Sequence, residues 1–437
     1  MEKDDDILSS TIGRLWKVGS MAAKMGTSFL KERVASAFSD ESEKEKRQQE
    51  LWAYAGELLS ETMGRLKGGV MKVGQMLSLQ EGLLPEEFTK ILRSLQKDAV
   101  PLSFKAMEQV FYEDLPQADS IFESVEEKAL ASASVGQVHR AKLKDGRDVV
   151  IKIQYPNMPK IIASDLKNLK AIMRLIFQML GDLDFEKIWQ EISTQLMYEL
   201  DYEREAQNQI EFRQWAHRHG LNWLIIPEVI QEASTKRVLT TIYEPGMPLS
   251  DVKEKGIGFA NQVGIKLFKL FLLQMYYFHK LHADPNAGNF AVRSTGEIIL
   301  YDFGQVKEIP EYVREGYRNI TLAAKDNDPE KIPDILYKLG VRYTNGNSID
   351  KELVLKYYHV FKPLVQQEQY SFGKDDPLMK GIMELNNEHW REGMKIDFPT
   401  DLIFIDRTMA GLVGNLCTLE ATIPWPSLIE ELVVPAV

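Results

Sequence analysis

The hydrophobic period of the chain changes several times along its length. From Leu8 to Phe29, apolar residues recur at three- and four-residue steps (Leu8, Ile12, Leu15, Val18, Ala22, Met25, Phe29), with Arg14, Lys17, Lys24, Lys31 and Arg33 interspersed. That spacing predicts an amphipathic helix, which Gly13, Gly19 and Gly26 weaken. The charged run Ser39 to Gln49 reads as a linker. A second helical pattern places Leu66, Val70, Val73 and Leu77 on one face of Gly64–Leu77. Gly68, Gly69 and Gly74 in that segment each cost of order 1 kcal/mol relative to Ala, so close packing or a backbone approach must compensate.

Strand character follows in Val138–Lys142 and in the β-branched run Asp148–Gln154, joined through Lys144-Asp145-Gly146-Arg147, whose Asp-Gly pair signals a hairpin. Helical spacing returns from Ile192 to Phe212, with Leu196, Leu200 and Ile210 apolar and Glu199, Asp201, Glu203 and Glu205 crowded within two turns. Leu267 to Phe278 is the most apolar stretch; Lys269 and Gln274 interrupt it and it is too short to span a bilayer, so it predicts a buried helix. Phe290–Val292 and Glu297–Tyr301 read as two short strands around the turn Ser294-Thr295-Gly296. Near the end, Leu402 to Leu412 predicts a helix stopped near Pro424-Trp425-Pro426, with Trp425 in the core.

Composition narrows the class. At 437 residues and 44% hydrophobic, the chain can bury a two-lobed core plus an extension. The single cysteine, Cys417, excludes an internal disulfide and points to a reducing compartment, cytosolic or organellar. A formal net charge of −11 argues against general nucleic-acid binding and leaves room for a local basic patch. No segment qualifies as a membrane span, and Glu2 with Asp4-Asp5-Asp6 suits neither a secretory signal nor a transit peptide. The N-terminal amphipathic helix suits peripheral contact with a lipid surface, or packing on its own domain or a second subunit. There is no internal repeat, Cys/His metal cluster or nucleophilic triad, and the histidines, His279 and His282 included, default to structural roles.

The residues that carry chemistry sit around the two short strands. In His282-Ala283-Asp284-Pro285-Asn286-Ala287-Gly288-Asn289 and Asp302-Phe303-Gly304, the order is that of a phosphoryl-transfer site. Asp284 would accept or orient a hydroxyl proton, while Asn289 and Asp302 would hold Mg²⁺ against the phosphates of ATP or ADP. The predicted hairpin between them would return Asp302 to the side of Asn289. Lys152, on the upstream strand, is the expected phosphate-binding cation, although a lysine on such a strand alone would more often face water. A nucleotide loop is expected at Ala131-Ser132-Ala133-Ser134-Val135-Gly136-Gln137, where a single glycine remains. Each Cβ there holds the backbone farther from a phosphate than glycine would, so nucleotide geometry should differ from that of a protein kinase.

Together these motifs resemble the UbiB/ADCK/AarF-type atypical kinases, from about Met63 nearly to the C-terminus. The most specific marker is Lys72-Val73-Gly74-Gln75, the family's Lys-x-Gly-Gln motif, joined by the alanine-rich loop, the lysine strand, Glu199-Leu200-Asp201-Tyr202-Glu203-Arg204-Glu205-Ala206 with Asn208, and the two later motifs. One departure is Asn286-Ala287 where the family usually has His-Pro, which bears on substrate fit more than on phosphoryl chemistry.

The resemblance implies an α+β, bilobed protein-kinase-like fold with an added N-terminal helical extension. Its expected divisions are 1–50 for the amphipathic helix and linker, 51–115 for the extension, 116–243 for the small lobe and 244–437 for the large lobe. It further implies that Glu199 pairs with Lys152, and that Glu205 faces the added helix near Lys72 and Gln75. That helix lies where a peptide substrate would bind, so phosphorylation of proteins in trans is not expected. Ala283 stands where protein kinases have the arginine of His-Arg-Asp, and no Ala-Pro-Glu follows Gly304, so regulation by loop phosphorylation is not expected either. Val238 to Gly246 would be the last small-lobe strand and the hinge, with Glu244 beside the adenine. The expected function is an atypical kinase or ATPase supporting quinone or other prenyl-lipid metabolism at a membrane surface, in the cytoplasm or an organelle interior, with lipid-biosynthesis proteins as partners. A nucleotide-switched binding protein and a small-molecule phosphotransferase remain the alternatives.

Overall fold

The computed structural model describes residues 102–133, 135–164, 166–167, 170, 174, 185–393 and 395–434. Expectations for the N-terminal helix, the linker, the Lys72–Gln75 motif and Ser134 lie outside these residues. The chain divides into two compact units, one of Met1–Met107, Ala131–Gln137 and Gln154–Leu200, the other of Glu108–Leu130, Val138–Ile153 and Asp201–Val437.

In the second unit, α1 (Phe104–Asp114) leads to β1 (Phe122–Ser132), β2 (Gly136–Leu143) and β3 (Asp148–Gln154), although the ends of these elements belong to the first unit. The Asp-Gly hairpin forms as expected: Leu143 N donates to Arg147 O and Gly146 takes φ +90°, a conformation that favours glycine. The sheet order is β1-β2-β3-β5, with β5 (Val238–Ile242) antiparallel to β3 and Lys152 opposite Leu239. On β3 the period of two is clean: Val149, Ile151 and Ile153 are buried, while Val150 and Lys152 alternate with them.

The acidic run spans a helix boundary. In the first unit, α2 (Phe185–Tyr198) ends in a turn in which Glu199 N donates to Gln195 O and Leu200 N to Met197 O. In the second, α3 (Tyr202–Arg218) begins afresh at Asp201, whose side chain accepts from Arg204 N at 3.1 Å as an N-cap.

The rest of the second unit is helical and shares one apolar core. The helix α4 (Ile257–Leu273) is buried along most of its length and passes through a π turn, Gln274–Phe278, into β7 (Lys280–His282). The expected hairpin is β8 (Phe290–Val292) antiparallel to β9 (Ile298–Leu300), flanked by β4 (Leu224–Ile225) beside β9 and β6 (Met247–Pro248) beside β8, and β7 pairs with β10 (Val306–Glu308). Around them pack α5 (Glu311–Lys325), α6 (Ile332–Lys338), α7 (Lys351–Gln366), α8 (Pro377–Gly393), α9 (Thr400–Leu419) and α10 (Trp425–Leu432). Trp425 is buried and stacks on Phe268 with ring centres 3.9 Å apart. Among the described residues one helix, α9, is long and apolar enough by length and composition alone to cross a membrane. Its Leu402, Phe404, Ile405, Leu412, Val413, Leu416 and Leu419 are nevertheless buried in this core, as in the core helix of a globular domain.

Candidate active site

Strand β3 delivers Lys152 into a cluster of carboxylates. Its Nζ donates to both oxygens of Glu205, at 2.8 and 2.9 Å, and to Asp302 Oδ2 at 3.1 Å. It also lies 5.0 Å from the centre of the Tyr202 ring. The Glu205 side chain is 3% exposed and that of Lys152 15%, whereas Asp302 is 39% exposed, so the trio is open on the aspartate side. Burial works against the lysine's charge, but Asp302 and Glu205 outweigh it and hold the ammonium pKa well above its ordinary value.

The carboxylate on Lys152 is thus Glu205, and the expected pairing with Glu199 is corrected. The reason is local: Asp201 caps a new helix, so the phase of α2 does not continue through Leu200. Restarting at Tyr202 puts Tyr202 and Glu205, three residues apart, on the face toward Lys152. Glu199 is a buried residue of the first unit. An Asp immediately before a helical run was the available signal.

The same helix holds the segment after Asp302. Asn208 Nδ2 donates to Phe303 O at 2.9 Å, and Arg204 donates to Gly304 O and Val306 O at 3.2 and 3.3 Å. Asp302 itself takes φ +54°, and its Oδ1 accepts from Gly304 N at 3.1 Å. A Cβ on Gly304 would come within 3.2 Å of that same oxygen. His282 is buried beneath this turn, with Nε2 2.6 Å from Asp302 O and 3.1 Å from Tyr301 O. Facing two carbonyls, Nε2 carries the proton, a structural role.

The hairpin brings the catalytic-loop residues alongside. Tyr301 N donates to Asn289 O at 2.9 Å, and Asn289 Nδ2 to Asp284 O at 3.2 Å. The departure at Asn286 has a local function, since its side chain accepts from Gly288 N at 3.0 Å and caps the short turn Ala287–Asn289. Ala283 is fully buried, its N donates to Gln305 O at 2.8 Å and its O accepts from Arg407. Glu244 reaches the same neighbourhood through its carbonyl, which accepts from Tyr301 OH, and its side chain pairs with Arg293.

Lys152, Glu205, Asp302, Asp284, Asn289 and Glu244 are therefore residues of one unit. Ala131 to Gln137 belong to the other, where Ala133 N donates to Gly136 O at 2.8 Å and Gln137 is fully buried, bonded through its side-chain amide to the backbone of Leu102. Sequence reading missed the contacts made by Arg204, Asn208 and Arg407. Each acts on backbone carbonyls distant in the chain, which no local pattern reports.

A lysine strand, a helix carboxylate on that lysine, and an Asp-bearing loop beside an Asp-Phe-Gly turn define a protein-kinase-like α+β fold. A family model described as the ABC1 atypical kinase-like domain matches residues 94–336. The chloroplastic protein Activity of BC1 Complex Kinase 7 of Arabidopsis thaliana is 31% identical over 316 residues, covering 71% of this chain and 44% of the relative. The mitochondrial atypical kinase COQ8B of Danio rerio is 29% identical over 337 residues, covering 75% and 53%. A solved Mycobacterium tuberculosis protein in complex with erythromycin is 27% identical, with a TM-score of 0.63, and the match covers 90% of this chain and 99% of that one. The chain belongs to the UbiB/ADCK family of ABC1 atypical kinase-like proteins, and it spans about half the length of these two curated relatives.

Proposed function

We propose that this chain binds an adenine nucleotide with Mg²⁺ and acts as an atypical kinase or ATPase. The observation that carries the reading is the ion trio: Lys152 is kept charged and oriented by Glu205 while it touches Asp302. An ammonium so held is ready for phosphate oxygens at no further cost of orientation. Asp284 is the group to accept a proton from a hydroxyl or a water. For the metal, the donor chemistry fits: Asp302 is a partly exposed carboxylate, and the Asn289 amide nitrogen is engaged by Asp284 O, which leaves its oxygen as the donor atom. One carboxylate and one amide oxygen suit Mg²⁺, which takes its remaining ligands from phosphate and water. When bound, the ion would neutralise charge on the phosphates.

The family resemblance supports a role in quinone or other prenyl-lipid metabolism at a membrane surface, and the names of the relatives, one mitochondrial and one chloroplastic, favour an organelle interior. Lys72 and Gln75 are proposed as the gate that disfavours protein substrates, with Ala131 to Gln137 as the nucleotide loop. The test is phosphate release from Mg-ATP, with and without anionic-lipid vesicles, in the native chain and in Asp302→Asn. Lipid-stimulated turnover lost in the variant is the expected result. Tight nucleotide binding without turnover would favour a nucleotide-switched binding protein instead, and phosphate appearing on a soluble hydroxyl compound would favour a small-molecule phosphotransferase.

A further inference from the structure

The loop that carries Asp284 is held on both sides by a single face of α9, which lies beyond the residues matched by the family model. Before the aspartate, Arg407 Nη2 donates to Ala283 O and, at 2.8 Å, to Gln305 Oε1, so one guanidinium joins the catalytic loop to the segment following Gly304. After it, Asn415 Nδ2 donates to Pro285 O at 3.0 Å. Between these, Gly411 lies so close to Pro285 that an added Cβ would meet the ring at 2.3 Å. Positions 407, 411 and 415 are four residues apart and form one stripe of a helix. We infer that α9 is the positioning element for the Asp284 loop, acting through Arg407, Gly411 and Asn415.

This rests on the phosphoryl-transfer reading for its catalytic consequence, but not for its geometry. Backbone atoms on both sides of Asp284 are bonded to α9, and Arg407 ties them to Gln305, the residue that follows the turn carrying Asp302. A shift of the loop would therefore change the distance between the proton acceptor and the metal-holding carboxylate. Displacements of this kind leave ligand binding largely intact and lower the chemical step.

The experiment uses the full chain with Gly411→Ala, Arg407→Gln and Arg407→Lys. It measures kcat and KM for phosphate release from Mg-ATP, Kd for Mg-ADP, and hydrogen exchange of the amides from 283 to 289. The expected result is a roughly ten- to hundredfold fall in kcat for Gly411→Ala and Arg407→Gln, with Kd changed by less than about threefold. Amides of the loop should exchange faster while those of β3 do not, and Arg407→Lys should recover part of kcat because an ammonium can still reach one of the two acceptors. Folded variants with native loop exchange and native kcat would overturn the inference, as would faster exchange throughout the chain. Were the native chain to show no turnover, the functional reading would fall, and loop exchange alone would decide the positioning.

Discussion

At the scale of single residues, the trio of Lys152, Glu205 and Asp302 governs what the site can do. Glu205 is buried, so Lys152→Met removes one member of a buried ion pair, and breaking such a pair costs about 3–5 kcal/mol. Adding Glu205→Leu should restore much of that stability without restoring turnover, and urea unfolding of the single and double variants measures both effects. Glu199→Gln should leave the Lys152 ion pair intact. The pH dependence follows from the sign of the lysine's shift. Its folded pKa is raised, so the stability it contributes is fully present below the unfolded value of about 10.4 and is lost only as pH rises through the higher folded value. The stability difference between the native chain and the Lys152→Met/Glu205→Leu double variant, which leaves no buried carboxylate to titrate at position 205, should accordingly stay flat between roughly pH 6 and 9. A step in that window would mean that the ammonium is not held as the geometry requires.

At the scale of elements, α3 couples the lysine to the metal-bearing turn. One helix carries Glu205 toward Lys152 and Asn208 and Arg204 toward the backbone of residues 303, 304 and 306. Its register depends on the Asp201 cap, so Asp201→Ala should lower stability by about 1 kcal/mol, while Asp201→Asn should cost little. The midpoint of urea denaturation distinguishes the two. Asn208→Ala should reduce phosphate release more than it reduces Mg-ADP affinity, since Phe303 O loses a partner and the Asp302 turn loses a restraint. Helix packing in the C-terminal part gives a second expectation. A Cβ at Gly316 on α5 would meet Leu339 at 2.2 Å, so Gly316→Ala should destabilise by about 1–3 kcal/mol of overpacking, offset by up to about 1 kcal/mol of helix propensity. A net gain in melting temperature would contradict this packing.

For the whole molecule, ligand binding should be visible as stability. A ligand held only by the folded chain stabilises it by about 2.7 kcal/mol at a hundredfold excess over Kd, so Mg-ADP should raise the melting temperature. Omitting Mg²⁺, or replacing Asp302 with Asn, should remove the metal-dependent part of that rise.

What the sequence determined by itself was whatever depends on near neighbours: the β2–β3 hairpin, the alternation that turns Lys152 away from the buried face of β3, the β8–β9 hairpin that returns Asp302 to Asn289, and the apolar helix entering the catalytic loop. Periodicity and turn chemistry act over a few residues and leave their mark there. Tertiary structure decided the rest. Glu199 and Glu205 are both carboxylates in a helical run, and they differ in role because a cap at Asp201 starts a new helix between them, whose register only the opposing strand makes meaningful. Arg407, Gly411 and Asn415 read as an unremarkable helix until Ala283 and Pro285 meet them from 124 to 130 positions away in the chain. Such contacts satisfy backbone groups and fill space between elements distant in sequence, and that information exists only once the chain has folded.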